Sequence, residues 1–328
     1  MNVLIVCHAG SSLGLGHLTR SLVIAKAFRE HLGAEVHLLI QGETIQRTDL
    51  SEYDHMFIGL GNNLLESVSE FAQVTAAKVV VFDLHPRLVP ADIDRLLIEL
   101  RKGHCKIISV DGFITHQGNL DLVFIPSFGF SPPEGFCCAV PVLYGWDCFL
   151  LNVISPFSEW MYGKKVLALT GGTDATGLGK SLPMLLNEAL LVDTELHWVT
   201  GPYSEQPVFP VSPKFSIMNH QAPSRLDDLM VSSNYAITVY GVSFFELLYY
   251  GVPTVVFSPY GNKDDAELAV IAAEGVALVA RDEIDAVDKL KKLMYNDLLA
   301  ASFSQCARKK LSVQGDHKFV QAVFAMMD

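Results

Sequence analysis

The sequence predicts two doubly wound α/β domains, each built around a parallel β-sheet. Short and nearly continuous apolar runs alternate with helix-like segments along the chain, as a parallel sheet covered on both faces requires. This alternation stops in the middle of the chain and then starts again. A chain of 328 residues is also too long for one compact core and of ordinary length for two.

Two series of predicted strands define the two domains. The first series comprises residues 3–7, 35–40, 78–82, 106–110 and 122–125, and the second comprises 165–170, 195–200, 214–218, 235–239, 254–257 and 276–279. Between them, residues 128–163 are rich in proline, glycine and aromatic side chains and poor in charge, which is typical of a linker. We therefore expect domains at residues 1–155 and 156–312 that face a cleft, with ligand-binding loops at the carboxyl ends of the strands.

The bulk composition excludes several classes of protein. Hydrophobic residues make up 50% and charged residues 18%, which excludes extended disorder, and no apolar run reaches the roughly 18 residues of a membrane span. The net charge of −12 disfavours nucleic acids and anionic lipid surfaces as partners. The six cysteines form no CxxC pair, which argues against a zinc or redox site, and no export signal precedes the first strand. We expect a reduced, cytoplasmic protein.

The loop after the first predicted strand has the pattern of an anion-binding corner. Gly14 and Gly16 lead into a predicted helix, whose unpaired N–H groups favour an anion. We place His17 on the loop itself, where it adds a group for proton transfer, and Arg20 is a candidate contact for phosphate or carboxylate. The alternatives are that the glycines only permit tight packing, that His17 is an ordinary helix residue and that Arg20 is solvated. The expected apolar face of the helix is Leu18, Leu22, Ala25 and Phe28.

Two acids end predicted strands of the first domain. Asp83 and Asp111 each follow an apolar run, where a carboxylate can orient a histidine, accept a bond from a sugar hydroxyl or act as a base. The alternative is a local hydrogen bond, because aspartate favours such turns on its own account. His85, two residues after Asp83, is a further candidate, although a single histidine in a loop is usually a surface residue.

The second domain opens with a strand that runs into a loop of glycines and hydroxyls. The backbone N–H groups of Gly171, Gly172 and Thr173 are placed to hold a diphosphate. The chain has no GxxxxGK[ST] sequence, which argues against a P-loop ATPase. It also lacks a GxGxxG pattern followed by a ribose-binding acid, which argues against a nicotinamide cofactor.

Residues 235–258 carry the most specific pattern of the chain. A predicted strand ends at Tyr240 and Gly241, Ser243 is a candidate cap for a short helix, and Glu246 lies one turn inside that helix. Because no charge partner lies within one turn of Glu246, a pair of ligand hydroxyls is its expected partner. The alternative is an exposed glutamate near the favourable end of the helix dipole.

These motifs together resemble the nucleotide-sugar enzymes of the two-domain glycosyltransferase-B type. The likeness is greatest to the group that holds the SpsG-type spore-coat polysaccharide glycosyltransferases and the PseG-type hydrolases of UDP-2,4-diacetamido-2,4,6-trideoxy-altropyranose, and MurG is more distant. The likeness covers most of the chain. It rests on the stretches SSLGLGHLTRSLVIAKAF, VVVFDLH, IISVDGF, YGWDCFLL, GGTD and YGVSFFELLYYGVPTVVFS.

The resemblance implies roles for individual residues. It gives His17 the role of general base, with Asp83 and His85 as further catalytic residues on the sugar and acceptor side, and it places a nucleoside diphosphate, usually of uridine, on the second domain with Glu246 on the ribose hydroxyls. The residues expected to bind the substrate are Gly14, Gly16, Arg20, Asp111, Gly171, Gly172, Thr173, Asp174, Gly201, Tyr240, Gly241, Val242, Ser243, Glu246 and Asn262. No cofactor and no metal are expected, because N–H groups and helix N-termini serve the leaving diphosphate. The fold type also implies that a C-terminal helix, residues 313–328, packs back on the first domain.

Three places depart from the pattern of the hydrolase. Leu84 and His85 stand where a tyrosine is expected, Asn152 stands where an arginine is expected, and Asn262-Lys263 stands where an Asn-Gln pair is expected. These positions belong to the side that would hold the sugar and the catalytic water. The departures therefore put the hydrolase's substrate in doubt and leave the nucleotide side intact.

The sequence thus predicts an inverting glycosyltransferase that uses a sugar nucleotide, a UDP-sugar on the resemblance, in surface polysaccharide or glycoconjugate synthesis. A hydrolase that uses water as the acceptor, releasing UDP and a free amino or deoxy sugar, is the first alternative. A nucleotide-sugar-binding protein without catalysis is the second. The acceptor is expected to be a sugar, a lipid-linked sugar or water. The aromatic side chains of residues 124–136 indicate either internal packing or a docking edge for a lipid-linked acceptor, and the latter implies peripheral membrane contact.

Overall fold

The computed structural model describes most of the chain as two compact units. The described residues are 1–10, 13–132, 140–311 and 315–327, without the side chain of Gln117. Outside them lie Ser11 and Ser12 of the glycine loop, residues 133–139 with Cys137 and Cys138, residues 312–314, and Asp328. One unit contains Met1–Asn152 together with the C-terminal helix, and the other is Val153–Ser312.

The first unit is built on a seven-stranded parallel sheet. Its strands are β1 (Asn2–Ala9), β2 (Glu35–Gly42), β3 (Asp54–Ile58), β4 (Val79–Asp83), β5 (Lys106–Val110), β6 (Leu122–Phe124) and β7 (Val142–Leu143). Their order in the sheet is β3-β2-β1-β4-β5-β6-β7. The α-helices described in this unit are α1 (Gly16–Leu32), α2 (Leu64–Val74), α3 (Ile93–Lys102) and α10 (Gly315–Phe324).

Strand β1 shows why the apolar runs of the sequence are continuous. Val3 and Ile5 point into one hydrophobic cluster, and Leu4 and Val6 point into another on the opposite face of the sheet. Because successive strand residues alternate between faces, a strand covered by helices on both sides needs apolar side chains at every position.

Helix α10 completes the core of the first unit. The ring of Phe319 is fully buried and contacts Phe28 of α1 and Phe124 of β6, with centroids 5.7 and 5.0 Å apart. The ammonium of Lys318 forms an ion pair with Asp147 at 2.7 Å. The chain therefore returns to the first unit after it has formed the second.

The second unit contains a six-stranded parallel sheet. Its strands are β8 (Lys165–Leu169), β9 (Glu195–Thr200), β10 (Ser216–Gln221), β11 (Tyr235–Val239), β12 (Thr254–Phe257) and β13 (Leu278–Val279), in the order β10-β9-β8-β11-β12-β13. Its α-helices are α4 (Leu182–Ala189), α5 (Leu226–Val231), α6 (Val242–Tyr249), α7 (Asp265–Glu274), α8 (Glu283–Met294) and α9 (Asp297–Lys310). Val166 and Leu167, adjacent on β8, are buried in clusters on opposite faces.

Each sheet has one point at which the order of its strands reverses direction. In the first unit, the chain moves from β1 outward through β2 and β3, and then returns to pair β4 with the other side of β1. In the second unit, β8 and β11 have the same relation. The connections that leave two such strands diverge to opposite sides, which opens a crevice at the carboxyl ends of the strands. We call these two places the first and the second switch point.

The predicted fold class of two parallel-sheet α/β domains is confirmed, and every predicted strand is present with ends shifted by up to three residues. Strand β3 was not predicted because it is an edge strand that begins with three exposed residues, two of them the polar Asp54 and His55. Strand β7 lies inside the predicted linker of residues 128–163. The placement of His17 on a loop was wrong, because helix α1 begins at Gly16.

Candidate functional site

The first switch point brings together a histidine from one element and an aspartate from another. His17 is the second residue of α1, which begins directly after the loop that follows β1. Gly14 of that loop has a φ of +76°, a conformation that glycine adopts without strain. Asp83 is the last residue of β4, the neighbour of β1 in the sheet. His17 therefore reaches Asp83 from the adjacent connection.

Asp83 is the centre of a network of charged hydrogen bonds. The Nδ1 of His17 lies 2.7 Å from Oδ1 of Asp83. Arg20, one turn further along α1, donates from Nε to Oδ2 at 2.8 Å and from its terminal nitrogen to Oδ1 at 2.6 Å. Its other terminal nitrogen donates to Asp111 at 3.1 Å. The side chain of Asp83 has no solvent exposure, whereas those of His17 and Arg20 retain 16% and 12%.

The network keeps the buried carboxylate ionised. Burial alone would raise the pKa of Asp83, but the charge and the hydrogen bonds of Arg20, together with the bond from His17, outweigh burial and lower it. Burial works against the charged form of Arg20 as well, and Asp83 and Asp111 raise its pKa in return. Burial, reinforced by the charge of Asp83, raises the pKa of the Cys7 thiol to about 12, so this neighbour stays protonated.

The geometry fixes the tautomer of His17. An ionised carboxylate only accepts hydrogen bonds, so Nδ1 of His17 carries a hydrogen and donates it in the hydrogen bond to Asp83. The same oxygen of Asp83 serves Arg20, which explains why the two donors lie 3.4 Å apart. In the neutral ring, Nε2 is then an unprotonated base, and no hydrogen bond engages it among the described residues. A histidine held in this way can accept a proton at Nε2, and its aspartate then stabilises the imidazolium that forms.

His85 lies beside His17, and its neutral ring has the opposite tautomer. Its Nδ1 accepts the backbone N–H of Arg87 at 3.3 Å, so the proton of its neutral ring is on Nε2. The two imidazoles meet edge to face with their centroids 6.0 Å apart. The two rings therefore have opposite tautomers at the same switch point.

Two alternatives from the sequence are wrong for this site. Arg20 is not merely solvated, since it is mostly buried and bonded to two carboxylates. The side chain of Asp83 makes no local turn bond and instead binds groups 63 and 66 residues away. Asp111, which remains half exposed, has a φ of +59° and holds Arg20 from the adjacent strand end.

The second switch point is shaped by backbone rather than by charged side chains. The loop after β8 contains Gly171, Gly172 and Thr173, as predicted, but the carboxylate of Asp174 turns back into its own loop. Its two oxygens accept N–H bonds from Leu178 and Gly179 at 2.9 and 2.8 Å. The side chain of Asp174 therefore organises the loop, and the backbone N–H groups of residues 171–173 are what the loop can offer to an anion.

Gly201 supports this loop from the end of β9. A Cβ atom at this position would lie 2.4 Å from the carbonyl oxygen of Gly172, so only glycine permits the close approach. The N–H of Tyr203 then reaches the same carbonyl at 3.1 Å. The predicted binding residue Gly201 is thus a packing requirement of the loop.

Helix α6 begins at the carboxyl end of β11, on the other side of the second switch point. Its N-cap is Gly241, without a side-chain cap, so the prediction that Ser243 caps the helix was wrong. Tyr240 and Gly241 precede the helix, and Val242 and Ser243 form its first turn. Glu246 is only 7% exposed, which rules out the exposed glutamate considered above. Asn262, beyond β12, lies on the surface in a short 3₁₀ helix.

Comparison with known proteins extends these observations. No protein-family model and no curated protein matches the sequence. Solved structures do match over the full chain. MurG of Acinetobacter baumannii is 15% identical with a TM-score of 0.64, and the match covers 98% of this chain and 99% of that one. The spinosyn forosaminyltransferase SpnP is 13% identical with a TM-score of 0.69 and 99% coverage of both chains. The chain has the glycosyltransferase-B fold.

The glycosyltransferase-B fold is shared by enzymes of more than one type. A UDP-GlcNAc 2-epimerase from Neisseria meningitidis, solved with UDP-GlcNAc bound, is 10% identical with a TM-score of 0.63 and covers 99% of this chain and 100% of its own. The more specific likeness to the SpsG and PseG group remains a prediction.

The described residues contain no group of three or more His, Cys, Asp or Glu side chains that could hold a metal ion. In the same part of the chain, no helix is both long and apolar enough to cross a membrane. The aromatic side chains near the predicted linker pack on one another, as Phe128 does on Trp146 at 4.8 Å, and the docking edge of residues 124–136 lies partly outside the described residues.

The pairing of Arg20 with Asp83 was missed at the sequence level. A signal for it exists, because His17 and Arg20 are three residues apart and therefore share one face of a helix. That helix leaves the strand next to the one that Asp83 ends. A histidine and an arginine at this spacing, beside a strand-end acid, indicate a positioned base.

Proposed function

We propose that this protein is an inverting glycosyltransferase that uses a sugar nucleotide, with His17 as its general base. The observation that carries the proposal is the bond between Nδ1 of His17 and the buried, ionised Asp83 at the first switch point. It leaves Nε2 as a base, and a general base of this kind typically accelerates a reaction about 10²–10⁴-fold.

The proposed reaction is a single displacement. An acceptor hydroxyl gives its proton to Nε2 of His17 while its oxygen forms a bond to the anomeric carbon of the donor sugar. The bond from that carbon to the diphosphate oxygen breaks, and its electron pair leaves with the nucleoside diphosphate. Asp83 stabilises the imidazolium that forms, and Arg20 prevents Asp83 from taking the proton itself, because it holds the carboxylate in its ionised form.

The second switch point supplies the features that the donor needs. The N–H groups of residues 171–173 suit the diphosphate as a glycine-rich loop does. The first turn of α6 adds the N–H groups and the positive end of a helix dipole. Glu246, buried one turn inside α6, is the proposed partner of the ribose hydroxyls. The resemblance favours uridine as the base and membership of the SpsG and PseG group.

The same base would also activate water, so the hydrolase differs only in the acceptor. The purified chain should be incubated with a panel of sugar nucleotides that carry uridine or thymidine, with and without sugar acceptors. The released nucleoside diphosphate is then measured. A transferase releases it only when the right acceptor is present.

Two outcomes would contradict the proposal. Release at the same rate without any acceptor would identify a hydrolase. Tight binding of a sugar nucleotide, without release under any condition in which acceptors are supplied, would identify a binding protein. Lipid-linked acceptors belong in the panel, and their exclusive use would support peripheral membrane contact.

A further inference from the structure

His8 of the first unit is a fully buried histidine that takes no part in the proposed chemistry. His8 lies near the end of β1, and its side chain has no solvent exposure. Both of its ring nitrogens are engaged. Nδ1 accepts the backbone N–H of His85 at 2.8 Å, and Nε2 lies 3.1 Å from Oε1 of Gln41 on β2.

The partners fix the protonation of this ring. A backbone N–H can only donate, so Nδ1 of His8 has no proton, and the proton of the neutral ring is on Nε2, where it is donated to Gln41. The amide of Gln41 is oriented in turn, because its nitrogen donates to the carbonyls of Gly59 and Asn62 at 3.4 and 3.2 Å. These bonds are consistent with one another only when His8 is neutral.

The bonds of the two ring nitrogens lead to different segments of the chain. At one end, Gln41 and Asn62 line a pocket of about 250 Å³, together with side chains that include Leu88 and Asp92. At the other end is the main chain of His85, two residues after Asp83. The ring of His85 is the one that contacts His17. His8 therefore connects the wall of a pocket to the segment beside the proposed base.

We propose that His8 is a positioning residue that holds the main chain at His85 beside His17, and that it does so only while its ring is neutral. Protonation places a hydrogen on Nδ1, which then faces the N–H of His85, so the bond between them is lost. The hydrogen-bond part of this inference stands on geometry alone, and its effect on turnover rests on the proposed function.

Burial and the neighbouring groups together oppose protonation of His8. Burial lowers the pKa of His8, the hydrogen bond to Gln41 raises it, the nearby His17 and His85 lower it, and the carboxylate of Asp83 raises it. A lowered pKa keeps the ring neutral near pH 7. The bond to His85 is therefore present at neutral and alkaline pH and is lost as the pH falls through the pKa of the folded state.

Two substitutions separate the bond from the charge. His8→Asn places an acceptor oxygen where Nδ1 stood and has no proton to gain in this pH range, so it keeps the bond to His85. His8→Leu removes the acceptor. His55→Asn is a matched control, because His55 is an exposed histidine on β3 of the same sheet.

The experiment is hydrogen exchange of the full chain, read as protection factors for peptides that contain His85, between pH 5 and pH 8. In the wild type and in His55→Asn, protection should fall on the acidic side. In His8→Asn it should stay constant, and in His8→Leu it should be about fivefold lower than in His8→Asn at every pH, as the loss of one buried hydrogen bond predicts. Unchanged protection in His8→Leu, or the same acidic loss in His8→Asn as in the wild type, would overturn the inference.

Turnover adds a second readout. His8→Leu should lower kcat more than it changes KM, and His8→Asn should restore kcat near neutral pH. A lost kcat that His8→Asn does not restore would show a merely structural role for His8. If no transfer activity is found at all, the exchange data still decide the hydrogen-bond part, so failure of this inference and of the proposed function are distinguishable.

Discussion

The two switch points have the same topology and opposite chemistry. The first is built from side chains: a histidine, an arginine and two aspartates that bond to one another across three elements. The second is built from main chain: a glycine loop, an uncapped helix N-terminus and a glycine that lets two backbones approach. Moving a proton requires a titratable side chain, whereas holding an anion requires only oriented N–H groups. Under the proposed function, the architecture that the chain uses twice would have one copy for proton transfer and one for binding the diphosphate.

The largest effect should come from the base itself. His17→Ala removes Nε2, and kcat should fall about 10²–10⁴-fold because the acceptor must then lose its proton to water. Affinity for the sugar nucleotide, measured by calorimetry, should change little. The matched control is His31→Ala, an exposed histidine in the last turn of the same helix. Equal turnover of His17→Ala and the control would remove His17 from the mechanism.

The next effect tests whether the side-chain site depends on its ion pair. Asp83→Asn leaves the buried guanidinium of Arg20 without its main counter-charge, which should lower the free energy of unfolding by about 3 kcal/mol. Asp111→Asn, which alters the exposed partner of the same arginine, should cost less than about 1 kcal/mol. Urea unfolding of the two variants measures the difference. Similar losses would contradict the assignment of Asp83 as the buried centre.

A third prediction concerns an aspartate that belongs to neither of the two networks described above. Asp227 accepts bonds from the backbone N–H groups of Ile154 and Ser155 and from Arg225. Burial raises its pKa, but these bonds prevail and lower it to about 2. Its contribution is complete above the unfolded pKa near 4 and is lost as the pH falls towards 2. Asp227→Asn should therefore cost about 1–2 kcal/mol at pH 7 and almost nothing near pH 2.

Turnover of Asp227→Asn should match that of the wild type wherever both are folded. Acid titrations of stability, followed by circular dichroism, check the pH dependence. A stability difference that persists unchanged down to pH 2 would contradict the lowered pKa of Asp227.

The smallest effect should be found at the main-chain site. Glu246→Gln keeps the shape of the side chain and removes its charge, so affinity for a nucleoside diphosphate should fall about tenfold, the value of one charge-assisted bond. The affinities of the variant for the ribonucleoside diphosphate and for its 2′-deoxy analogue should differ less than those of the wild type. Glu188→Gln, an exposed glutamate on α4, is the control. Unchanged discrimination between the two nucleotides would exclude Glu246 as a ribose ligand.

The predictability of the two sites from sequence also differs. The second switch point depends on local features, and the strands and loops around Gly171 and Gly241 could be predicted because glycines and apolar runs have local meanings. The first switch point depends on contacts between residues that are more than 60 positions apart in the sequence, such as Arg20 and Asp83. Sequence patterns identified each partner and left the pairing open.

Local rules also failed where two of them compete. Ser243 is a good N-cap by type, yet the N-cap of α6 is Gly241, two residues earlier, and the helix begins at Val242. Asp174 was expected to face a ligand, yet N–H groups four and five residues ahead use both of its oxygens. Strand β3 escaped prediction because an edge strand needs charge and exposure, which also describe a loop.

The return of helix α10 to the first unit has a consequence for synthesis on the ribosome. Phe319 fills a space between α1 and β6 that no earlier residue occupies, so the N-terminal unit, although made first, lacks part of its core until α10 has emerged. The unit at residues 153–312 is one continuous segment and includes no later part of the chain. We expect this later-made unit to reach its native packing first, and nascent chains that stop before α10 to expose the groove around Phe28 and Phe124 to chaperones.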